Sequence, residues 1–163
     1  FLAPFHCDVR VYDPYIDEAV VASYGAQKTD LEDMLRNSFV VSLHLGLTDE
    51  TRGVLGEEEL GWIPDNGLLV NTARAAVVDE GALVKELQSG RIRAALNVFW
   101  KEPLAPDHAL RDLDNVILTP HGGGLTHDTM RRHSQSIVDD LERFFKGEQP
   151  QNVVTREMLP RMT

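Results

Sequence analysis

Cysteine is almost missing from this sequence: Cys7 is the only one in 163 residues. That excludes a disulfide framework and a thiolate metal cluster, and no metal site is expected. Basic residues are scarce too, 16 Lys and Arg against 26 Asp and Glu, for a formal net charge of −10. So acidic a chain argues against nonspecific nucleic-acid binding, which needs a positive surface. No apolar run approaches the ~20 residues that cross a bilayer, so no membrane partner is expected. What remains, 42% hydrophobic and 26% charged, is the composition of an ordinary globular protein. A chain of 163 residues suffices for one domain that buries roughly two-thirds of its unfolded surface. A reducing, cytoplasmic setting is the expectation.

The residues that are present read as strands alternating with helices. Runs rich in β-branched and apolar residues predict strands at 9–12 (VRVY), 39–45 (FVVSLHL), 68–70, 92–98 and 116–118, with a weaker one at 26–29. Between them, helical spacing predicts a helix over 17–24 closed by Gly25 and a second capped by Asp30. Two helical turns follow within 48–63. Asp79 opens the next helix, with Leu83, Val84 and Leu87 on one face, and the longest spans 126–146, with Ile137, Val138, Leu141, Phe144 and Phe145 on one face. The unbroken apolar triplet Val116, Ile117, Leu118 predicts a strand buried on both faces. Residues 149–163 are expected to be an extended tail leaving the domain. The alternation itself predicts an α/β fold with a parallel sheet. Right-handed crossovers gather the carboxyl ends of such strands on one edge, where ligands of open α/β sheets bind.

Three strand ends on that edge carry complementary groups. Arg74 follows 68–70, Glu102 follows 92–98, and His121 follows 116–118 in the segment NVILTPHGGGLT. Arginine grips a carboxylate through two parallel hydrogen bonds. Histidine exchanges a proton near neutral pH, and a nearby glutamate favours its charged form. Together they suit a 2-keto or 2-hydroxy acid whose carbonyl oxygen gains or loses a proton. Each also has a plainer reading: Arg74 in a surface ion pair, Glu102 in a charged loop, His121 as a helix cap or backbone partner. Asp13, just after VRVY, reads either as an Asp-Pro turn or as the acidic residue that holds an adenosine ribose. The second reading favours NAD over NADP, because its charge repels a 2′-phosphate.

Five blocks in this order resemble the D-isomer-specific 2-hydroxyacid dehydrogenases: VYDPY at 11–15, SLHLGLTDETRGVLG at 42–56, LLVNTARAAVVDEGALVKEL at 68–87, AALNVFWKEPL at 94–104 and NVILTPHGGGLT at 115–126. The resemblance covers nearly the whole chain. It implies a Rossmann-type doubly wound parallel sheet, NAD as cofactor, a small 2-hydroxy or 2-keto acid as substrate, and a homodimer. It implies that Arg74 binds the substrate carboxylate and carbonyl, that His121 is the general acid, and that Glu102 orients His121. It further implies that Asp13 holds the adenosine ribose, that His44, Leu45 and Thr51 line the adenosine and phosphate side, and that Thr72 and Ala73 line the nicotinamide side. Gly123 and Gly124 would leave room beside the nicotinamide, and Asn97 would lie near its carboxamide. The family usually has aspartate where Asn97 stands, glycine where Ala75 stands and often proline where Gly46 stands; GWIPDNG at 61–67 is unusual.

The resemblance also implies parts that this sequence does not contain. A leading strand with a Gly-rich pyrophosphate turn would precede FLAPF, which reads as the last turn of a helix. The sheet is therefore expected to be incomplete, with residues 1–148 forming the C-terminal part of the nucleotide-binding domain. Residues 149–163 are expected to return to a substrate-binding domain. The missing strand would lie mid-sheet and leave two interior edges unpaired. Two other readings are a nucleotide-sensing corepressor-like interaction protein of the same fold, towards which Asn97 tilts, and an inactive stand-alone domain.

Overall fold

A computed structural model of the chain describes residues 2–159 and 162. In chain order the elements are β1 (Arg10–Val11), α1 (Glu18–Ser23), β2 (Gln27–Lys28), α2 (Leu31–Arg36), β3 (Val40–Leu43), α3 (Glu57–Trp62), β4 (Leu68–Asn71), α4 (Glu80–Gln88), β5 (Arg93–Leu96), β6 (Val116–Leu118) and α5 (His127–Phe145), with 3-10 turns at Ala3–Phe5, Ala75–Val77 and Ala109–Asp112. Helix starts follow local chemistry. Asp17, Asp30, Asp79 and Thr126 each accept a hydrogen bond from a backbone N–H of the first turn, satisfying donors that have no intrahelical partner. Glu59 does the same for the N–H of Gly56 at the start of α3. Gly25 and Gly147, just past the ends of α1 and α5, have φ of 72° and 75°, the left-handed region that glycine enters without strain.

All strand pairing is parallel, in two groups: β1–β2, and a sheet in the order β3-β4-β5-β6. Among the described residues no ladder joins β1 to β3, so each has a strand on one side only. Register aligns Leu43, Asn71, Leu96 and Leu118 in one row at the carboxyl edge. The next residue on each strand is therefore His44, Thr72, Asn97 or Thr119, which places four loops side by side. β3 and β5 are shorter than the apolar runs that predict them, because His44–Leu45 and Asn97–Val98 already belong to those loops.

The core lies on one face of the four-stranded sheet. Val41, Leu43, Leu69, Ala94 and Leu96 alternate inward and meet Leu35 of α2, Leu60 of α3, and Leu83 and Leu87 of α4. The opposite face is different. Val40 is exposed, and Ile117 of β6 is 65% exposed, so the expectation that 116–118 is buried on both faces fails. The reason is position: β6 is an edge strand, and α5, which follows it, buries none of its residues. The tail also departs from the expected extended course. Backbone N–H groups of Gln151 and Asn152 donate to the Asp140 carboxylate of α5, and the Asn152 amide donates to Asp140 and Ser136, turning the chain back along the helix.

Candidate active site

The turn after β4 is built on Asn71. This side chain is 2% exposed, and its Oδ1 accepts from the Ala73 N–H at 3.0 Å while its Nδ2 donates to the Arg74 carbonyl at 2.9 Å. Both backbone groups are thereby satisfied, and Arg74 is thrown outward at the head of the 3-10 turn Ala75–Val77. Among the described residues its exposed guanidinium bonds only the Ala73 carbonyl, through Nη1 at 2.8 Å, which leaves donors to grip an anion.

Glu102 and His121 meet across the next two loops. His121 Nδ1 lies 2.8 and 2.7 Å from the two oxygens of Glu102, and the Phe99 N–H donates to Oε1 at 3.0 Å. The His121 hydrogen bond, then the Phe99 N–H, then the charges of His121 and Arg74 hold the Glu102 carboxyl below the usual carboxylate range. An ionised carboxylate only accepts, so Nδ1 carries the proton and Nε2 is left facing away from it. His121 itself has φ of 46°, and its N–H bonds the Thr119 carbonyl at 2.9 Å. A left-handed conformation costs a residue with a Cβ on the order of 1 kcal/mol, and such outliers concentrate at functional sites.

Two side chains outside the predicted site residues support this pair. Trp100 Nε1 donates to the Val78 carbonyl at 3.0 Å, pinning the loop after β5 to the core. Arg111 folds that loop back on itself through bonds to the carbonyls of Ala105 (2.8 Å) and Leu104 (2.7 Å). Arg111, Leu104, Phe99 and Thr119 line, with Glu102 and His121, a cavity of about 490 Å³. These contacts join residues whose spacing has no pattern; the signal that could have flagged Arg111 is an arginine beside an exposed proline-rich turn.

Asn97 and Thr119 form the bridge between β5 and β6. Asn97, 8% exposed, donates through Nδ2 to Thr119 Oγ1 at 2.7 Å, and Gly123 is so close that a Cβ there would lie 3.3 Å from Asn97 Oδ1. Gly124 is open, with nothing within 4 Å of the corresponding point. Thr72 is exposed, and Ala73 is half-buried against the core. The structure thus gathers Arg74, Glu102, His121, Asn97, Thr72, Ala73 and the two glycines along one edge.

The residues of the adenosine side lie on the turn after β1 and on the loop after β3, the latter beside the turn that carries Thr72. Asp13, half-buried after β1, uses Oδ1 to accept the N–H groups of Tyr15 (2.8 Å) and Ile16 (3.3 Å), so the Asp-Pro turn is real, while Oδ2 keeps its acceptor capacity. The Tyr15 hydroxyl bonds Glu50, joining this turn to the loop after β3. In that loop Thr51 Oγ1 accepts from the Thr48 N–H at 2.8 Å and donates to the Gly46 carbonyl at 2.7 Å, so its hydroxyl shapes the loop. His44 Nε2 pairs with Ser42 Oγ at 2.8 Å, and Leu45 packs against the core. A carboxylate with one oxygen unengaged among the described residues and an amide oxygen opened by a glycine are suitable groups for a ribose hydroxyl and a carboxamide respectively.

Residues 1–123 match the model of the D-isomer specific 2-hydroxyacid dehydrogenase NAD binding domain. The chain is 47% identical to a glyoxylate reductase of Aeropyrum pernix over 136 residues, which is 83% of this chain and 41% of that protein. A D-isomer specific 2-hydroxyacid dehydrogenase from Xanthobacter autotrophicus Py2, in complex with NADPH and MES, superimposes with a TM-score of 0.80 at 34% identity, covering 96% of this chain and 49% of that one. A D-lactate dehydrogenase with NAD+ from Lactobacillus jensenii does so with a TM-score of 0.83 at 25% identity, covering 94% and 50%. The chain therefore spans about half the length, or less, of these proteins. With an all-parallel sheet and the matched block running through the histidine loop, the chain belongs to the D-isomer specific 2-hydroxyacid dehydrogenases, as an α/β Rossmann-like NAD-binding domain.

Proposed function

We propose that this chain supplies the nucleotide-binding and acid/base half of an enzyme that reduces small 2-keto acids with NADH. Residues 1–148 would form that domain, and 149–163 would lead back to a substrate-binding domain. Arg74 pairs with the substrate carboxylate and polarises the carbonyl. His121, protonated, delivers its Nε2 proton to the carbonyl oxygen, and Glu102 fixes the ring and stabilises the imidazolium through Nδ1. NADH, when bound, supplies the hydride. Asp13 takes a ribose hydroxyl through its free oxygen, which favours NAD over a 2′-phosphorylated cofactor. Glyoxylate leads the candidate substrates, since the A. pernix relative is a glyoxylate reductase.

The observation that carries the reading is the Glu102–His121 pair, held at 2.7 Å on a strained residue beside an arginine with free donors. The test is NADH oxidation by the full-length polypeptide carrying this domain, with glyoxylate, hydroxypyruvate and other 2-keto acids. His121→Ala is expected to lower turnover by roughly 100- to 10,000-fold, the usual weight of a general acid, with NADH binding retained. Equal turnover in the variant would remove His121 from the mechanism. NADH binding with no turnover in the unmodified protein would favour a nucleotide-sensing role.

A further inference from the structure

Asn97 is one of two buried polar residues among the described residues, and its hydrogen bonds fix which of its ends faces outward. Thr119 Oγ1 lies 3.4 Å from the Leu96 carbonyl, to which the hydroxyl donates. Towards Asn97 the same oxygen must therefore accept, so Nδ2 points at Thr119 and Oδ1 points the other way, at Gly123. Gly123 has no side chain to cover that oxygen, and it lies two residues from His121. Asn97 directly follows β5, which lies between β4, whose loop carries Arg74, and β6, whose loop carries His121. A nicotinamide bound at this edge to serve a carbon held by Arg74 and His121 would find Asn97 Oδ1 available as an acceptor.

The charges around that position are unequal. Arg74 is a cation that hydrogen-bonds no carboxylate among the described residues, and Lys101 stands on the loop of Glu102. The anion facing the crevice, Glu102, is engaged by His121 and the Phe99 N–H. Asn97 contributes an acceptor without charge. A carboxamide can be bound there, but among the described residues at this edge the positive ring of an oxidised nicotinamide would meet no unpaired carboxylate. The neutral ring of the reduced form carries no such penalty.

Resting on the proposed function above, we infer that Asn97 biases this site towards the reduced over the oxidised nicotinamide cofactor, and so towards reduction of the keto acid. The experiment measures dissociation constants for NADH and NAD+ by calorimetry on the full-length polypeptide, without substrate, for the unmodified protein, Asn97→Asp and Asn97→Ser. The unmodified protein should bind NADH more tightly than NAD+. Asn97→Asp should move the ratio towards NAD+ by about tenfold, the scale of one unit charge ~6 Å away at an effective dielectric of ~40, between that of a protein surface and bulk water. Asn97→Ser, which removes the amide but adds no charge, should weaken both nucleotides together and leave the ratio near its original value. An unchanged ratio in Asn97→Asp, or tighter binding of NAD+ by the unmodified protein, would overturn the inference while leaving keto-acid reduction intact. Failure to bind either nucleotide would overturn both.

Discussion

Helix α4 buries Leu83 and Leu87 to 0% and 1% exposure, whereas α5, about twice as long, leaves Phe144 65% and Phe145 82% exposed. Both helices carry apolar residues at helical spacing on one face, and both are capped at their start by a side chain, Asp79 and Thr126. What separates them is what they face. α4 lies with α2 and α3 against the inward rows of β3, β4 and β5, while the other side of that sheet, with Val40 and Ile117, is uncovered among the described residues. An amphipathic pattern thus reports a capacity for burial; whether it is used depends on a partner surface. The site sits at the junction of these two regimes. Its Asn71 and Asn97 are anchored in the packed half, and its glycine loop leads directly into the uncovered helix.

Equal truncations should cost unequal amounts. Leu83→Ala removes a fully buried side chain and is expected to destabilise the domain by about 2–5 kcal/mol, by lost transfer energy and the cavity left behind. Leu141→Ala on α5 should change stability by no more than ~0.5 kcal/mol, as substitutions on exposed surface generally do. Urea denaturation of the two variants of this chain reads both. A cost for Leu141→Ala approaching that of Leu83→Ala would mean that α5 is covered in solution, and the comparison would fail.

Asn71 tests how far the packed half controls the site. In Asn71→Ala the Ala73 N–H and the Arg74 carbonyl lose their partners, at about 1–3 kcal/mol for buried groups left unsatisfied. Because the turn carries Arg74, KM for the keto acid should rise more than kcat falls. Asn71→Asp still accepts from Ala73 but cannot donate to Arg74, so it should fall between. Loss of stability with KM unchanged would make Asn71 a folding residue only.

Much of this organisation is legible in the sequence because it is local. Asp17, Asp30, Asp79 and Thr126 cap helices within three residues of themselves, and the period of the apolar residues separates strands from helices. The meeting of Glu102 with His121 is legible for another reason: parallel strands bring their carboxyl ends together whatever the loops do. Contacts made across distance are not legible. The fork of Arg111 on Leu104 and Ala105, the grip of Asn71 on its own turn and the left-handed backbone of His121 depend on loop geometry that no periodicity encodes. The exposure of Ile117 is hidden for the reason given above, since an apolar triplet cannot say whether a helix will cover it.

The smallest expected effect concerns the tail, where the uncovered helix holds something after all. Asp140 accepts hydrogen bonds from the N–H groups of Gln151 and Asn152, the Asn152 amide and Arg143, and these bonds, led by the Gln151 N–H and the Asn152 side-chain amide, depress its pKa from 3.8 to about 2. A carboxylate whose folded value lies below its unfolded one contributes stability above the unfolded value and loses it as pH falls through the folded value. The latch should therefore be fully present from pH 8 to pH 5 and open only as pH falls through about 2. Amide hydrogen exchange reads it directly. Relative to intrinsic rates, Gln151 and Asn152 should be equally protected at pH 8 and pH 5, and severalfold less protected in Asp140→Ala, with the amides of α4 unaffected. If Asp140→Ala leaves both tail amides as protected as before, the carboxylate is not what turns the chain back, and α5 must engage the tail through its apolar face instead.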